Sequence, residues 1–253
     1  MDIRAAGKTD RGTVRPVNED DLLVDEKINL FIVADGMGGH EAGDVASKML
    51  INEAKQFLYG KIRDGIPAEK ISMLLEEALQ NANLKIYTYS KNHGSGRIMG
   101  TTAVLMALTD NQYFISWVGD SRAYLMRDGL MERLTRDHSY VQQLVDSGEI
   151  SEKEARVHPR RNMVTRAAGV EEEIEVETVW GQSRVGDLFL LCTDGLTGPL
   201  EDGVIAAHLE SGGKDAPGDE PGSEPDVITD ALIRDALEEG GDDNVTVVIV
   251  ELL

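Results

Sequence analysis

Apolar residues recur along this chain with two different periods, and the switches between them divide it into elements. Leu22, Leu23 and Val24, then the run Leu30 to Ala34, predict two strands within residues 20–34 around a polar turn at Asp25-Glu26-Lys27. From Ala42 to about Leu58 the spacing becomes helical, through Val45, Ala46, Met49, Leu50, Ala54, Phe57 and Leu58. A second helix is predicted from near Pro67, a residue suited to a first turn, with Ile71, Leu74, Leu75, Ala78, Leu79, Ala82 and Ile86 on one face. Then the period falls to two. Residues 101–108, 112–118, 121–127 and 130–134 are short β-prone runs split by turn residues, Asp128-Gly129 being the strongest hairpin signal. Residues 139–168 read as helix and loop, 172–180 and 187–193 as strand, 201–210 and 226–238 as helix, and 244–252 as a last strand.

Strands in tight succession, separated by pairs of helices, predict an α+β fold: two packed antiparallel sheets flanked by paired helices. One domain over residues 1–253 accommodates this, with an acidic, Gly- and Pro-rich loop insert at about 211–225.

Composition narrows the chemistry. The 253 residues are 41% hydrophobic and 28% charged, which suits an ordinary globule, but the net charge of −21 does not favour a polyanionic partner such as nucleic acid or an anionic membrane. A single cysteine, Cys192, sits in the apolar run Leu188 to Cys192 and reads as a buried thiol in a reducing compartment. Neither a signal peptide nor a run of roughly 18 apolar residues is present, so a soluble, cytoplasmic protein is expected, the alternative being a domain cut from a longer membrane-anchored chain.

The carboxylates are placed more pointedly. Asp35 ends the strand 30–34, Asp120 follows the run Tyr113 to Gly119, Asp194 follows the strand 188–193, Asp243 opens the last strand, and Glu19-Asp20 opens the first. Any one is an ordinary turn former. Brought to one sheet edge together, they would repel by roughly 4 kcal/mol per pair at about 4 Å, so such a cluster calls for divalent cations. An all-oxygen donor set selects Mg²⁺ or Mn²⁺ over Zn²⁺, and the number of carboxylates exceeds what one ion needs, pointing to a two-metal site.

Seven ordered stretches then carry a resemblance over nearly the whole chain. They are Arg15-Pro16-Val17-Asn18-Glu19-Asp20, Val33-Ala34-Asp35-Gly36-Met37-Gly38-Gly39-His40, Gly100 to Val104, Trp117 to Arg122, Leu134 to Ser139, Cys192 to Gly195 and Gly240 to Asn244. In this order they resemble the metal-dependent protein phosphatase 2C family in its compact bacterial form. The resemblance implies hydrolysis of phosphoserine and phosphothreonine in proteins by a water or hydroxide between two Mg²⁺ or Mn²⁺ ions. It implies that Asp35 bridges those ions, that the Gly36 carbonyl, Asp194 and Asp243 complete their shells, and that Glu19 and Asp20 act through water. Asp120 with Asp194 would hold a weaker third ion, Arg15 would clamp the phosphate, and His40 would protonate the leaving alkoxide. The three glycines before His40 let the backbone approach the ions. A flap is implied at about 146–169, carrying Arg160, Arg161 and Arg166. His138 is expected in a structural hydrogen-bonding role, and His93, His158 and His208 as ordinary polar residues. Phosphorylated proteins, among them a Ser/Thr protein kinase and its targets, are the implied partners; a monomer is the default expectation. A catalytically degenerate phosphoprotein-binding relative, or an unrelated metal hydrolase or calcium module, is the alternative.

Overall fold

The structure is a computed structural model that describes residues 2–38, 42–93, 99–109, 111–212 and 224–253. In chain order its elements are β1 (Ile3–Asp10), β2 (Asp20–Asp25), β3 (Leu30–Met37), α1 (Ala42–Leu58), α2 (Ala68–His93), β4 (Gly100–Thr101), β5 (Ala103–Thr109), β6 (Gln112–Val118), β7 (Arg122–Arg127) and β8 (Leu130–Arg133). There follow α3 (Tyr140–Asp146), α4 (Glu152–Arg156), β9 (Glu177–Gln182), β10 (Leu188–Cys192), α5 (Asp194–Thr197), α6 (Asp202–Ser211), α7 (Glu224–Glu238) and β11 (Val245–Leu252).

The strands form two antiparallel sheets, one in the order β1-β11-β10-β7-β8 and one in the order β2-β3-β5-β6-β9, with β4 paired to β3. Period-two alternation explains how they stack. Phe31, Val33, Val104, Met106, Ile115 and Trp117 of the second sheet meet Leu125, Phe189, Leu191, Val248 and Val250 of the first in one buried layer. The intervening residues Leu30, Ile32, Ala34, Leu105 and Phe114 point outward and pack under α1 and α2. Tyr124, Leu190, Val247 and Ile249 likewise face the helices α5, α6 and α7. The result is the expected sandwich of helices, two sheets and helices. Each sheet is apolar on both faces because each is covered twice. Among the described residues, no helix is long and apolar enough to cross a membrane.

The departures from sequence expectation have local causes. β1 is an edge strand, mostly exposed and with little alternation, so its pattern does not announce it. The strand expected over 172–180 begins only at Glu177, because Asn83 donates to the carbonyls of Glu171 and Glu172 and Gln80 to that of Ile174, tying this segment to α2 instead of a sheet. β3 runs two residues past Asp35 to pair with β4, and Asp194 opens a one-turn helix where only a strand end was expected. The turn at Asp128-Gly129 takes φ of 53° and 75°, the left-handed pair that a tight hairpin needs. Most of the acidic insert at 211–225, and His40, lie outside the described residues.

Candidate metal centre

Asp35 and Asp20 are direct cross-strand partners on β3 and β2. Like charges in that position destabilise a sheet unless something compensates them, and here the strand pairing makes the apposition unavoidable. Around this pair the ends of β6, β10 and β11 deliver Asp120, Asp194 and Asp243. The charges of Asp20, Asp194, Asp120 and Asp243 all act on Asp35, and Asp194 shares a hydrogen bond with it. Five of the carboxylates read from the sequence thus stand together, and Glu19 feels Arg15 and Asp243 at the margin of the same group.

Their electrostatics follow from burial first and from one another second. Asp20 is 4% exposed, and desolvation, followed by the charges of Asp194 and Asp243, lifts its pKa to about 7 although two hydroxyls oppose the rise. Burial also pushes Asp35 and Asp120 well above the carboxylate range, with neighbouring aspartates adding to the effect. Asp194 is raised by burial and by Asp243, against the pull of Arg122 and Arg15. Glu19 is raised chiefly by burial.

The backbone that carries these groups is fixed by side chains the motifs already contain. Thr102 donates its amide to the Asp35 carbonyl at 2.8 Å and accepts the Asp35 amide on its hydroxyl at 3.1 Å. Thr101 adds a hydroxyl to the same carbonyl at 2.9 Å. Thr102 and Ser121 share a hydrogen bond of 2.7 Å that couples the Asp35 strand to the Asp120 turn. His138 accepts the Gly119 amide on Nδ1 at 3.1 Å and turns Nε2 to Glu177 at 3.0 Å, the hydrogen-bonding role expected of it. Gly36 has no room for a side chain: a Cβ there would collide with the carbonyls of Gly43 and Glu19, so α1 rests directly on the strand.

Several contributors were not read as site residues from the sequence. Thr193 and Thr246 donate to Oδ2 of Asp20 at 2.8 and 2.7 Å. Asn244 takes the Glu19 amide on Oδ1 at 2.8 Å and donates to the carbonyls of Arg11 and Val17, stitching the N-terminal segment to β11. Arg122 grips Asp137 through Nε and NH2 and bonds the Tyr124 hydroxyl at 3.1 Å, leaving its charge beside Asp194. Arg122, Asn244 and Thr193 were visible as members of motifs without a role being read for them, whereas Thr246 lies two residues past the last motif and gave no signal. In the flap region Arg166 is engaged by Glu175 and Glu177, and Arg160 lies over the Tyr140 ring, so neither is a bare substrate contact.

The donor set fits hard divalent cations. All its side-chain groups are carboxylates, and two buried oxygens, Oε1 of Glu19 beside Gly43 and Oδ1 of Asp20, have no hydrogen-bond partner. Such orphaned acceptors are costly and call for an unseen partner. Among the described residues no three carboxylates are yet drawn to coordination distance around one point. Arg15 makes a 2.6 Å ion pair with Asp243 at the margin of the cluster.

The sequence profile of the family described as "Protein phosphatase 2C" matches residues 12–211. The chain is 39% identical over 252 residues to the Serine/threonine phosphatase stp of Listeria innocua, covering 98% of this chain and 96% of that protein. Its fold is similar to the crystal structure of the Mycobacterium tuberculosis serine/threonine phosphatase PstP/Ppp, with a TM-score of 0.86, 36% identity, and coverage of 99% of this chain and 98% of that one. The catalytic domain of PstP in complex with two manganese ions is also similar, with a TM-score of 0.83, 34% identity, and coverage of 98% and 97%.

Proposed function

The chain belongs to the protein phosphatase 2C family, and from that premise we propose that the cluster around Asp35 is the two-ion centre with which it hydrolyses phosphoserine and phosphothreonine in proteins. It is a metal-dependent Ser/Thr protein phosphatase using Mn²⁺ or Mg²⁺. The observation that carries the residue assignment is the gathering of buried Asp20 and Asp120 with half-buried Asp35 and Asp194, with oxygens of Asp20 and Glu19 left unpartnered.

In this reading Asp35, the Gly36 carbonyl, Asp194 and Asp243 hold the two ions. Glu19 and Asp20 act through water ligands, and Asp120 with Asp194 takes a weaker third ion. Bound there, Mn²⁺ or Mg²⁺ neutralises phosphoryl charge and lowers the pKa of a water toward neutrality. The chain's own residues do the rest. Arg15 offers a planar guanidinium that fits two phosphate oxygens at once. His40, outside the described residues, donates the proton that a departing serine or threonine alkoxide needs. Thr101, Thr102 and Ser121 hold Asp35 and Asp120 in register, so little reorganisation remains when substrate arrives.

We extend the reading to one catalytic domain over residues 1–253, a monomer in the cytoplasm, with phosphoproteins including a Ser/Thr protein kinase as substrates. The test is release of phosphate from a phosphothreonine peptide. Turnover that requires Mn²⁺ and stops with chelator supports the assignment. Metal binding without turnover would mark a degenerate phosphoprotein-binding relative, and turnover undiminished in chelator would refute the two-ion reading.

A further inference from the structure

Arg15 and Asp243 are both assigned to the site, but to opposite ligands: Asp243 to a cation, Arg15 to a phosphate. In this structure they hold each other, NH2 of Arg15 lying 2.6 Å from Oδ2 of Asp243. The contact takes one guanidinium nitrogen and one carboxylate oxygen, and the other oxygen accepts the Asn244 amide at 2.8 Å, so each proposed ligand would compete for groups already engaged. The surroundings reinforce the pair, since Asp35 and Glu19 also attract the guanidinium.

We infer that this ion pair is an exchange latch: Asp243 gives up Arg15 when it takes a divalent cation, and Arg15, so released, turns to the phosphate, making cation binding precede phosphate binding. The inference rests on the site assignment above and adds an order to it. Three observations support it.

First, the pair is open enough to break. The Arg15 and Asp243 side chains are 46% and 31% exposed, and ion pairs at such exposure are weak, so a divalent cation can displace the guanidinium. Second, only the side chain has to move. The backbone on either side of Arg15 is fastened to the loop that carries Asp243, through Thr13 amide to Gly241 carbonyl at 2.8 Å and through Asn244 to the carbonyls of Arg11 and Val17. The guanidinium therefore stays within reach of whatever binds beside Asp243. Third, without a cation a phosphate would meet Asp20, Asp35, Asp120 and Asp194 with Arg15 already occupied, so nothing favours its entry. By linkage, cation and phosphate must then each strengthen the other's binding by the same factor.

The experiment follows the Arg15 guanidinium by nitrogen-15 NMR in the full chain, with Arg15→Lys identifying its signal, while calorimetry measures Mg²⁺ binding to the same sample. The latch predicts hindered guanidinium rotation in chelator, freer rotation with saturating Mg²⁺, and renewed hindrance when inorganic phosphate is added to the Mg²⁺ sample. Phosphate in chelator should leave the signal unchanged. In parallel, Arg15→Ala should bind Mg²⁺ about 3- to 10-fold more tightly, because Asp243 no longer has to be freed. An Arg15 signal that stays hindered while calorimetry shows Mg²⁺ bound would overturn the latch and leave the metal centre standing. A response to phosphate in chelator would overturn the order of binding. Absence of Mg²⁺ binding by the wild-type chain would remove the site assignment and the latch with it.

Discussion

Asp137 is surrounded by donors: Arg122 holds it through two nitrogens, Arg133 reaches it from the end of β8, and Arg122 continues to the Tyr124 hydroxyl. Within the field of that same Arg122 stand Asp120 and Asp194, which with Asp20 and Asp35 face mainly one another. Both groups are polar and largely shielded from solvent; Asp137 sits on the loop after β8, whereas the second group gathers from β2, β3 and the ends of β6 and β10. In the first, every charge meets its opposite, and the cluster can contribute to a unique packing of β7, β8 and the loop after them. In the second the like charges are left to be compensated from outside. Several uncompensated carboxylates held together do not favour stability, so the contrast is the one expected if the first group serves the fold and the second is the proposed metal centre.

The largest effect should come from attacking the second group. Asp35→Asn is expected to lower Mn²⁺-dependent turnover by at least about 10³-fold, roughly 4 kcal/mol, since it removes the carboxylate assigned to both ions. The same variant should be more stable than wild type in chelator at neutral pH, because an acid whose pKa is raised by desolvation and by its neighbouring aspartates has gone. Loss of activity with lowered metal-free stability would mean that Asp35 is compensated after all.

Arg122→Met should do the reverse. It leaves Asp137 to Arg133 alone and is expected to cost about 1.5–3 kcal/mol of stability in urea unfolding, with or without Mn²⁺. Its effect on metal affinity should be smaller, since Arg122 only lowers the pKa of Asp194 and Asp120 from a distance. If urea midpoints barely move, the first group is not the structural partner in this comparison.

A pH series sharpens the contrast at intermediate size. Asp20 titrates near 7 in the folded chain and near 3.9 when unfolded, so the stability it contributes is fully present below about pH 4 and is lost as pH rises through about 7. In chelator, stability should therefore fall across that window by about 2–4 kcal/mol from this group. A flat profile between pH 4.5 and 7 would contradict the raised pKa.

The smallest expected effect is that of Thr246→Val, which removes one of the two hydroxyls on Oδ2 of Asp20. Losing a hydrogen bond to a charged group costs about 1.5–3 kcal/mol, here divided between stability and Mn²⁺ affinity. Thr193→Val should resemble it closely, and a neutral outcome in both would mean that Asp20 is held by β2 alone.

Much of this could be read in advance, for reasons that differ from residue to residue. Asp35, Asp120, Asp194 and Asp243 were legible because each lies at or beside a strand terminus, and a strand announces itself by alternation. The helices α1 and α2 were legible because their buried faces repeat at 3.6 residues. β1 was not, since an edge strand with one mostly solvated face needs few apolar residues. The ion pair of Arg15 with Asp243 joins positions 228 residues apart and has no local signature. Nor do the threonines on Asp20, whose importance arises only when β10 and β11 bring them beside β2. Sequence displays which residues end elements, and it conceals which of those ends then support one another.

The central claim is that the aspartate group is completed by divalent cations, and Mn²⁺ calorimetry at about pH 6.5 in two buffers of different ionisation enthalpy tests it most directly. With Asp20 titrating near 7 and Asp35 and Asp120 raised well above the usual range, the metal-free cluster carries protons that cations must displace. The account predicts two tightly bound ions, release of at least about one proton per chain, and loss of both in Asp35→Asn and Asp194→Asn. Binding that releases no proton, or that survives in both variants, would contradict it.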